Sequence, residues 1–205
     1  NKPCNVVVIG GGTAGLEAAC TAAEVGCTTF LIEKKPYLGG LAAEISKIPD
    51  KKRLADFPNY LIHRAEGLRN LFVFTDTEAT ADFVKNLKPN IIVNATGSQP
   101  LLPPIAGLHE NLGKEGSKVY SILDMIHHVN DYPEDMTGKK VAVIGGGAVG
   151  LDVVEYFAPR GASVSIVEVL PAIGNGIDPI SKVGTFAMMD QYGVRQMTKT
   201  ALKEV

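Results

Sequence analysis

A six-residue glycine motif occurs twice in this chain of 205 residues, each time directly after a short apolar run. In both copies a glutamate follows the last glycine by 18 residues, at the end of a second apolar run. The copies are Gly10–Gly15 after Val6–Ile9, with Glu33, and Gly145–Gly150 after Val141–Ile144, with Glu168. A glycine pattern alone is weak evidence in a glycine-rich chain, but a strand before it, a helix after it and an acid at equal spacing are specific. We therefore predict two strand–helix–strand units.

Each part of such a unit has its own task. The first glycine permits a tight turn, the second leaves room for a pyrophosphate, and the third lets the helix pack closely on the strand. The N–H groups at the start of the helix attract phosphates, and the acid accepts hydrogen bonds from a ribose. Two units predict two dinucleotides, with electrons passing between them.

The residues after Glu168 predict a preference of the second unit for NAD(H) over NADP(H). Val169, Leu170 and Pro171 follow this acid, and the next cation along the sequence is Lys182. A 2′-phosphate would therefore meet a carboxylate and no compensating charge. The alternative is an exposed glutamate at a strand end with no ligand.

Composition excludes several classes of function. The net charge of −2 and the pI near 6.1 give no electrostatic footprint for nucleic acid or an anionic membrane surface. No apolar run approaches the roughly 20 residues that cross a bilayer, and the N-terminus lacks a signal-peptide pattern. The three cysteines lack metal-binding spacing, which indicates reduced thiols and a cytoplasmic protein.

The order of these motifs resembles the two-dinucleotide flavoproteins. It is most similar to the C-terminal half of the old-yellow-enzyme-like NADH:flavin oxidoreductases, the group of 2-enoate reductase, 2,4-dienoyl-CoA reductase and trimethylamine dehydrogenase. The resemblance covers essentially the whole chain and also rests on Leu38–Gly40, Ile48–Lys52, Ala95–Gly97 and Pro103–Gly107. It implies an α/β protein with two Rossmann-like dinucleotide-binding domains. These are an FAD-binding domain with connector over 1–110, and an NAD(H)-binding domain over 111–205 that is incomplete at its C-terminus.

The resemblance also implies the residues that bind each cofactor. For FAD they are Gly10, Gly12, Thr13, Ala14, Gly15, Glu33, Lys34, Gly39, Gly40, Ala79, Thr96 and Gly97. For NAD(H) they are Gly145, Gly147, Ala148, Val149, Gly150, Asp152 and Glu168. Asp152 resembles an acidic position near the nicotinamide, although a local cap or ion pair is an equal alternative. No catalytic side chain and no metal ligand is predicted, because the flavin carries the chemistry.

The chain departs from the resemblance in three places. Disulfide reductases of this architecture carry a cysteine pair soon after the Gly-Gly that corresponds to Gly39-Gly40. In this chain Leu41–Glu44 occupies that position and contains no cysteine. The later Gly-Asp segment that completes the FAD domain is absent, as is the N-terminal barrel that holds FMN, an iron–sulfur cluster and the substrate. We therefore expect this chain to be the electron-input module of a longer enzyme, in which hydride passes from NADH onto FAD. The electrons would then reach a reductase site in the barrel domain, which is the expected partner of this module. The oligomeric state is left open.

Two other functions are compatible with the same residues. The first is a nucleotide-binding module without turnover, with ADP as a structural ligand in the first unit. The second is a free-standing ferredoxin-type or quinone-type reductase, which needs a complete C-terminus.

The remaining polar and thiol groups favour structural interpretations. His127 and His128 point about 100° apart on a helix and cannot readily chelate one metal ion. His63, Arg64 and the run Lys51–Arg53 fit a solvated helix face. Cys20 and Cys27 fit core thiols, with redox sensing as the alternative, and Gly174–Gly176 fits a turn. Secondary structure is expected as a loop over 36–40, a helix over about 51–68 and a buried strand over 91–94.

Overall fold

The computed structural model describes residues 4–205, which form two compact units that divide between Leu101 and Leu102. Each unit contains a parallel β-sheet, and helices pack on the strands of each. This arrangement confirms the predicted α/β class and its Rossmann-like organisation. Within the described residues no helix has both the length and the apolar composition that a bilayer crossing requires.

The first unit contains four strands that form one sheet in the order β3-β2-β1-β4, with every pair parallel. The strands are β1 Asn5–Ile9, β2 Thr28–Ile32, β3 Leu71–Phe74 and β4 Ile91–Asn94. The helices are α1 Thr13–Glu24, α2 Gly40–Ile45, α3 Asp56–Glu66 and α4 Ala81–Asn86, with a 3₁₀ segment at Pro49–Ala55.

Strand β1 is buried on both faces, as its continuous apolar run predicts. Val6 and Val8 lie in a core cluster with residues of α1 and α3, including Leu16 and Leu61. Val7 belongs to a second cluster with Val84 of α4. Successive side chains of a strand point to opposite faces of the sheet, so Val6 and Val8 contact the helices on one face and Val7 contacts the helix on the other.

Three expectations about local structure in this unit need correction. The strand at 91–94 forms, but it is an edge strand, and Ile91 and Ile92 are 52% and 54% exposed. Apolar β-branched runs indicate a strand without telling a central position from an edge. The predicted loop ends one residue early, because α2 begins at Gly40. The predicted helix over 51–68 is divided into the 3₁₀ segment and α3, and Pro58 lies in the first turn of α3, where a proline is tolerated.

The second unit repeats the strand–helix–strand arrangement around a three-stranded parallel sheet in the order β5-β6-β7. The strands are β5 Lys140–Ile144, β6 Ser163–Val167 and β7 Arg195–Met197. The helices are α5 Leu108–Asn111, α6 Ile122–His127, α7 Ala148–Phe157 and α8 Pro179–Gln191. Ile166 of β6, Val154 of α7 and Met189 of α8 are fully buried.

Candidate dinucleotide sites

The first glycine loop joins β1 to α1, and two of its glycines are fixed by steric limits. Gly10 has φ +105°, and a Cβ atom there would lie 2.3 Å from the Ala95 carbonyl oxygen. A Cβ on Gly15 would lie 1.8 Å from the Gly10 carbonyl oxygen. Both positions therefore require glycine, and this close approach brings the start of α1 against the turn.

The space beside Gly12 is open, in contrast to that beside Gly15. Gly12 has an ordinary φ of −75°, and the nearest described atom to a Cβ there would be the Gly40 Cα at 3.8 Å. Among the described residues no side chain caps α1, whereas Thr80 caps α4 and Asp178 caps α8. The first N–H groups of a helix have no acceptors within it. The loop thus offers donors, partial positive charge and room for a phosphate group.

The second glycine loop, between β5 and α7, repeats this geometry. Gly145 has φ +102°, and a Cβ on Gly150 would lie 1.9 Å from the Gly145 carbonyl oxygen. No described atom lies within 4 Å of a Cβ on Gly147. In the described residues α7 also begins without a side-chain cap. Ala148 and Val149 are exposed in its first turn, as Ala14 is in α1.

The two glutamates fasten the glycine loops to the ends of their second strands. Glu33 accepts hydrogen bonds from the Gly11 N–H at 2.6 Å and the Lys35 N–H at 2.7 Å. Glu168 accepts from the Gly146 N–H and the Leu170 N–H, both at 2.7 Å. A carboxylate has about four acceptor positions, so each glutamate can still accept from ribose hydroxyls.

The environment of Glu168 favours its charged form. The residue is 8% exposed, and backbone hydrogen bonds from Leu170 and Gly146 lower the pKa of this carboxyl below its ordinary value. A buried carboxylate that remains ionised, next to a loop that can hold phosphates, is suited to orient a ribose by accepting its hydroxyl protons.

A three-residue segment of the pattern Thr-x-Thr lies beside each glutamate, Thr75–Thr77 in the first unit and Thr198–Thr200 in the second. We call these segments hooks; the sequence analysis did not predict them. The Thr77 N–H donates to the Glu33 carbonyl at 2.9 Å, and the Thr200 N–H donates to the Glu168 carbonyl, also at 2.9 Å. The middle residues of the hooks, Asp76 and Lys199, both have positive φ, +49° and +52°. The repeated Thr-x-Thr after β3 and β7 is the signal that could have revealed the hooks.

The middle residue of the second hook bears on the prediction about coenzyme preference. The Lys199 N–H donates to the Leu170 carbonyl at 3.1 Å, so a cation distant in sequence lies at the loop after Glu168. The Lys199 side chain is exposed. The preference for NAD(H) was predicted from the neighbours of Glu168 along the chain, and Lys199 was not among them.

In each unit a further glycine, from the loop after the second strand, donates a hydrogen bond to the glycine loop. The Gly39 N–H donates to the Gly11 carbonyl at 2.8 Å, and the Gly174 N–H donates to the Gly146 carbonyl at 2.7 Å. Gly40 abuts the first glycine loop directly, since a Cβ there would lie 2.8 Å from the Gly12 Cα. The turn predicted at Gly174 is confirmed, and it occupies in the second unit the place of Gly39 in the first.

Four other predicted FAD-site residues lie in segments that follow β2, β3 and β4. Lys34 and Glu78 form an exposed ion pair at 3.6 Å. Ala79 packs on the core cluster of Val7. Thr96 donates its hydroxyl to Asn94 at 2.9 Å, and Gly97 has φ +77°. Because parallel strands end at one edge of the sheet, these segments share the edge with the glycine loop.

Asp152 is half-buried in the second turn of α7. A cleft of about 210 Å³ does lie at the end of β5 and β6. Its lining includes Gly145, Glu168, Val169, Thr200 and Leu202. A larger cavity of about 420 Å³ in the same unit is lined by loop residues such as Lys114 and Tyr132, none of which was predicted to bind a nucleotide.

One interpretation of the cationic residues was wrong. Arg64 does not lie on a solvated face: its side chain is 20% exposed and donates to Glu17 at 2.9 Å and to Glu24 at 2.6 Å, which joins α3 to α1. Periodicity within one helix does not reveal a partner on another. Arg53 and His63, by contrast, are highly exposed. Within residues 4–205, no group of three or more His, Cys, Asp or Glu side chains is arranged to hold a metal ion.

Comparison with known proteins places the chain in a family. The profile of the pyridine nucleotide-disulphide oxidoreductases matches residues 4–205. The chain is 35% identical to an NADH oxidase of Thermoanaerobacter brockii and 31% identical to a bilirubin reductase of Mediterraneibacter gnavus, in each case over 98% of this chain. A solved 2-naphthoyl-CoA reductase matches with a TM-score of 0.80 and 27% identity over the whole chain.

The chain spans only 30%, 29% and 29% of the lengths of these three proteins. The matched region in each is therefore one part of a longer polypeptide. The repeated glycine loops, the parallel sheets and the profile match over nearly every residue agree, and the chain belongs to the pyridine nucleotide-disulphide oxidoreductase family, with its FAD/NAD-binding fold.

Proposed function

We propose that the first unit binds FAD, that the second binds NADH, and that the pair forms the electron-input part of a longer flavoenzyme. The observation that carries this proposal is the duplication of one phosphate-binding geometry. In each unit an uncapped helix N-terminus, an open glycine and a fastened glutamate lie at one edge of a parallel sheet. Two such sites of unequal surroundings fit two different dinucleotides better than one.

The first unit fits FAD through residues at both ends of the cofactor. Gly12 leaves space for the pyrophosphate, and Glu33 keeps acceptor capacity for the ribose of its ADP half. Gly39 and Gly40 lie against the same loop, and we propose that they would line the approach of the pyrophosphate and the flavin. We propose that Lys34 and Ala79 lie beside the adenosine, and Thr96 and Gly97 near the flavin. When bound, FAD would supply hydride acceptance and onward electron transfer, chemistry that protein side chains lack.

The second unit fits a nicotinamide dinucleotide through Gly147, Glu168 and the cleft at the end of β5 and β6. We propose NADH as the preferred form, because the Glu168 carboxylate would repel a 2′-phosphate. The exposed Lys199, which lies at the loop after Glu168, would act in the opposite direction. Asp152 would orient the nicotinamide end.

The chain contains no thiol pair at the position that disulfide reductases use. Leu41–Glu44 follows the second Gly-Gly, and all three cysteines precede it in the sequence. We propose instead that electrons leave FAD for a reductase site in another part of the parent protein, of the old-yellow-enzyme-like type with FMN and an iron–sulfur cluster. An enoate or dienoyl-type acceptor is favoured because the matched proteins include reductases of bilirubin and of 2-naphthoyl-CoA.

Calorimetric titration of the 205-residue chain with FAD, ADP, NADH and NADPH tests this assignment. We expect FAD to bind more tightly than ADP, and NADH to bind more tightly than NADPH. Equal affinity for ADP and FAD would favour the module in which ADP is a structural ligand. Anaerobic addition of NADH to the FAD-loaded chain should then bleach the flavin absorbance; an unchanged spectrum would contradict hydride transfer.

A further inference from the structure

Two of the three cysteines lie side by side at the start of the first sheet. Strands β1 and β2 pair in parallel with Asn5 opposite Thr28, so Cys4 and Cys27 are the preceding pair of the same register. The Thr28 N–H donates to the Cys4 carbonyl at 2.9 Å, which extends the ladder to this position. Neighbouring strands lie about 4.8 Å apart, inside the range of about 4.4–6.8 Å that disulfides span between Cα atoms.

The two side chains also point the same way. Cys4 and Cys27 are both half-buried and both pack on the core cluster that contains Val6 and Leu16. The strand register places the two thiols beside each other, and the neighbouring Cys4 thiol raises the pKa of Cys27. Both therefore combine proximity with access for a small reagent.

Cys20 provides an internal contrast. It is fully buried in α1, its thiol faces the Leu61 carbonyl at 3.7 Å, and burial raises the pKa of this thiol. Such a fully buried thiol is inert, because a disulfide reagent cannot reach its sulfur. Cys20 is thus a core residue, as predicted, while Cys27 belongs to a pair that its sequence position does not reveal.

We propose that Cys4 and Cys27 form a reversible intramolecular disulfide when a low-molecular-weight disulfide, such as oxidised glutathione, is present. One cysteine sulfur attacks the S–S bond of glutathione, forms a mixed disulfide and releases the first reduced glutathione. The other cysteine sulfur then attacks this mixed disulfide and releases the second. The two cysteine sulfurs lose one electron pair, the glutathione S–S bond gains it, and the two thiol protons pass to the two reduced glutathiones.

The site is separate from the proposed dinucleotide site. Cys4 and Cys27 precede β1 and β2, whereas the first glycine loop and Glu33 follow them, at the opposite edge of the sheet. The cross-link would join the two strands at the end of the sheet opposite the proposed dinucleotide site. Formation of this disulfide is therefore independent of which nucleotide the chain binds.

Digestion after glutamate tests the proposal directly, because it places each cysteine on its own peptide. Cleavage after Glu17, Glu24 and Glu33 gives peptides 1–17, 18–24 and 25–33, with one cysteine each. The native 205-residue chain is equilibrated with oxidised glutathione, alkylated and digested without reductant. Mass spectrometry should find 1–17 linked to 25–33, peptide 18–24 alkylated, and the link lost after dithiothreitol. Two of the three thiols should disappear.

Matched variants make the assignment specific. Cys20→Ser should leave the link unchanged, while Cys4→Ser and Cys27→Ser should abolish it and accumulate a mixed disulfide with glutathione on the remaining partner. A link that includes peptide 18–24, a disulfide between two chains on a non-reducing gel, or a wild-type chain that keeps three free thiols or stable mixed disulfides would each overturn the proposal. The wild-type result alone is decisive if a variant fails to fold.

Discussion

Two glycines of the first glycine loop have different roles: Gly15 is needed for stability, and Gly12 is proposed to be needed for FAD affinity. Gly15→Ala puts a methyl group 1.8 Å from the Gly10 carbonyl oxygen, so either α1 or the turn must move. We expect a loss of stability of about 1–3 kcal/mol or more, the range typical of overpacking. Thermal unfolding of the wild-type and Gly15→Ala chains measures this loss of stability.

Gly12→Ala is the matched control for that change. Its Cβ would meet no described atom closer than 3.8 Å, and φ −75° suits alanine, so stability should change by less than about 0.5 kcal/mol. The methyl group would instead occupy the space proposed for the pyrophosphate, and FAD affinity should fall at least about tenfold, or about 1.4 kcal/mol. Unchanged FAD affinity in a folded Gly12→Ala chain would contradict the site.

Glu168 makes the stability of the second unit depend on pH. Its pKa is lowered in the folded chain from an ordinary value of 4.5, so the unfolded chain binds the proton more readily. Its contribution is therefore complete above pH 4.5 and is lost as the pH falls through the lower, folded-state pKa. Glu168→Gln leaves one loop N–H facing an amide donor and should cost about 1–3 kcal/mol at pH 7.

Urea unfolding of both chains between pH 7 and 3 checks the sign. The difference between wild type and Glu168→Gln should shrink below pH 4.5, and exposed Glu134→Gln should differ from wild type by less than about 0.5 kcal/mol throughout. A difference that grows on acidification would mean that the carboxylate destabilises the loop.

At the scale of elements, Arg64 holds α3 against α1. Its guanidinium binds Glu24 through two nitrogens and Glu17 through a third, in a setting where the arginine side chain is 20% exposed. Paired, partly shielded charges are worth more than a single surface ion pair, so Arg64→Ala should lower the free energy of unfolding by more than Arg53→Ala does. The loss should be smaller at high salt. Urea unfolding at two ionic strengths measures both quantities.

Arg53→Ala is the control for this helix contact. Arg53 is 96% exposed and lies 3.5 Å from Asp56, so its removal should change the free energy of unfolding by less than about 0.5 kcal/mol. Equal losses for the two arginines would show that the contact between α1 and α3 does not depend on the Arg64 charges.

The same contrast shows what the sequence could predict and what it could not. Strand, glycine loop, helix and glutamate were predictable because each follows from neighbours along the chain, as at Gly10–Gly15 and Glu33. The Thr77 and Thr200 hooks and the Arg64 partners were missed because they join residues far apart in sequence. The exposure of Ile91 was missed because residue type does not fix whether a strand lies at an edge. The binding roles of Lys34, Ala79 and Asp152 rest on resemblance and remain predictions.

At the scale of the whole chain, the duplicated glycine loop allows FAD binding and NADH binding to be tested separately, by the same substitution in each unit. Gly12 and Gly147 hold equivalent places in the two units, and a Cβ is sterically tolerated at both. Gly12→Ala should therefore weaken FAD binding and leave NADH binding within about twofold, and Gly147→Ala should do the reverse, since affinity depends on the local phosphate contacts.

Hydride transfer, unlike binding, requires both sites at once. At saturating FAD, Gly147→Ala should slow the anaerobic bleaching of flavin at low NADH and regain the wild-type rate at high NADH, because the substitution removes ground-state binding rather than chemistry. Gly12→Ala should restore its rate with added FAD and not with added NADH. If Gly147→Ala instead weakened FAD and spared NADH, the two assignments would be reversed; if neither variant changed either affinity, the glycine loops would not be the binding sites. The crossed pattern of rescue therefore tests, in one pair of chains, which unit holds which cofactor and whether electrons pass between them.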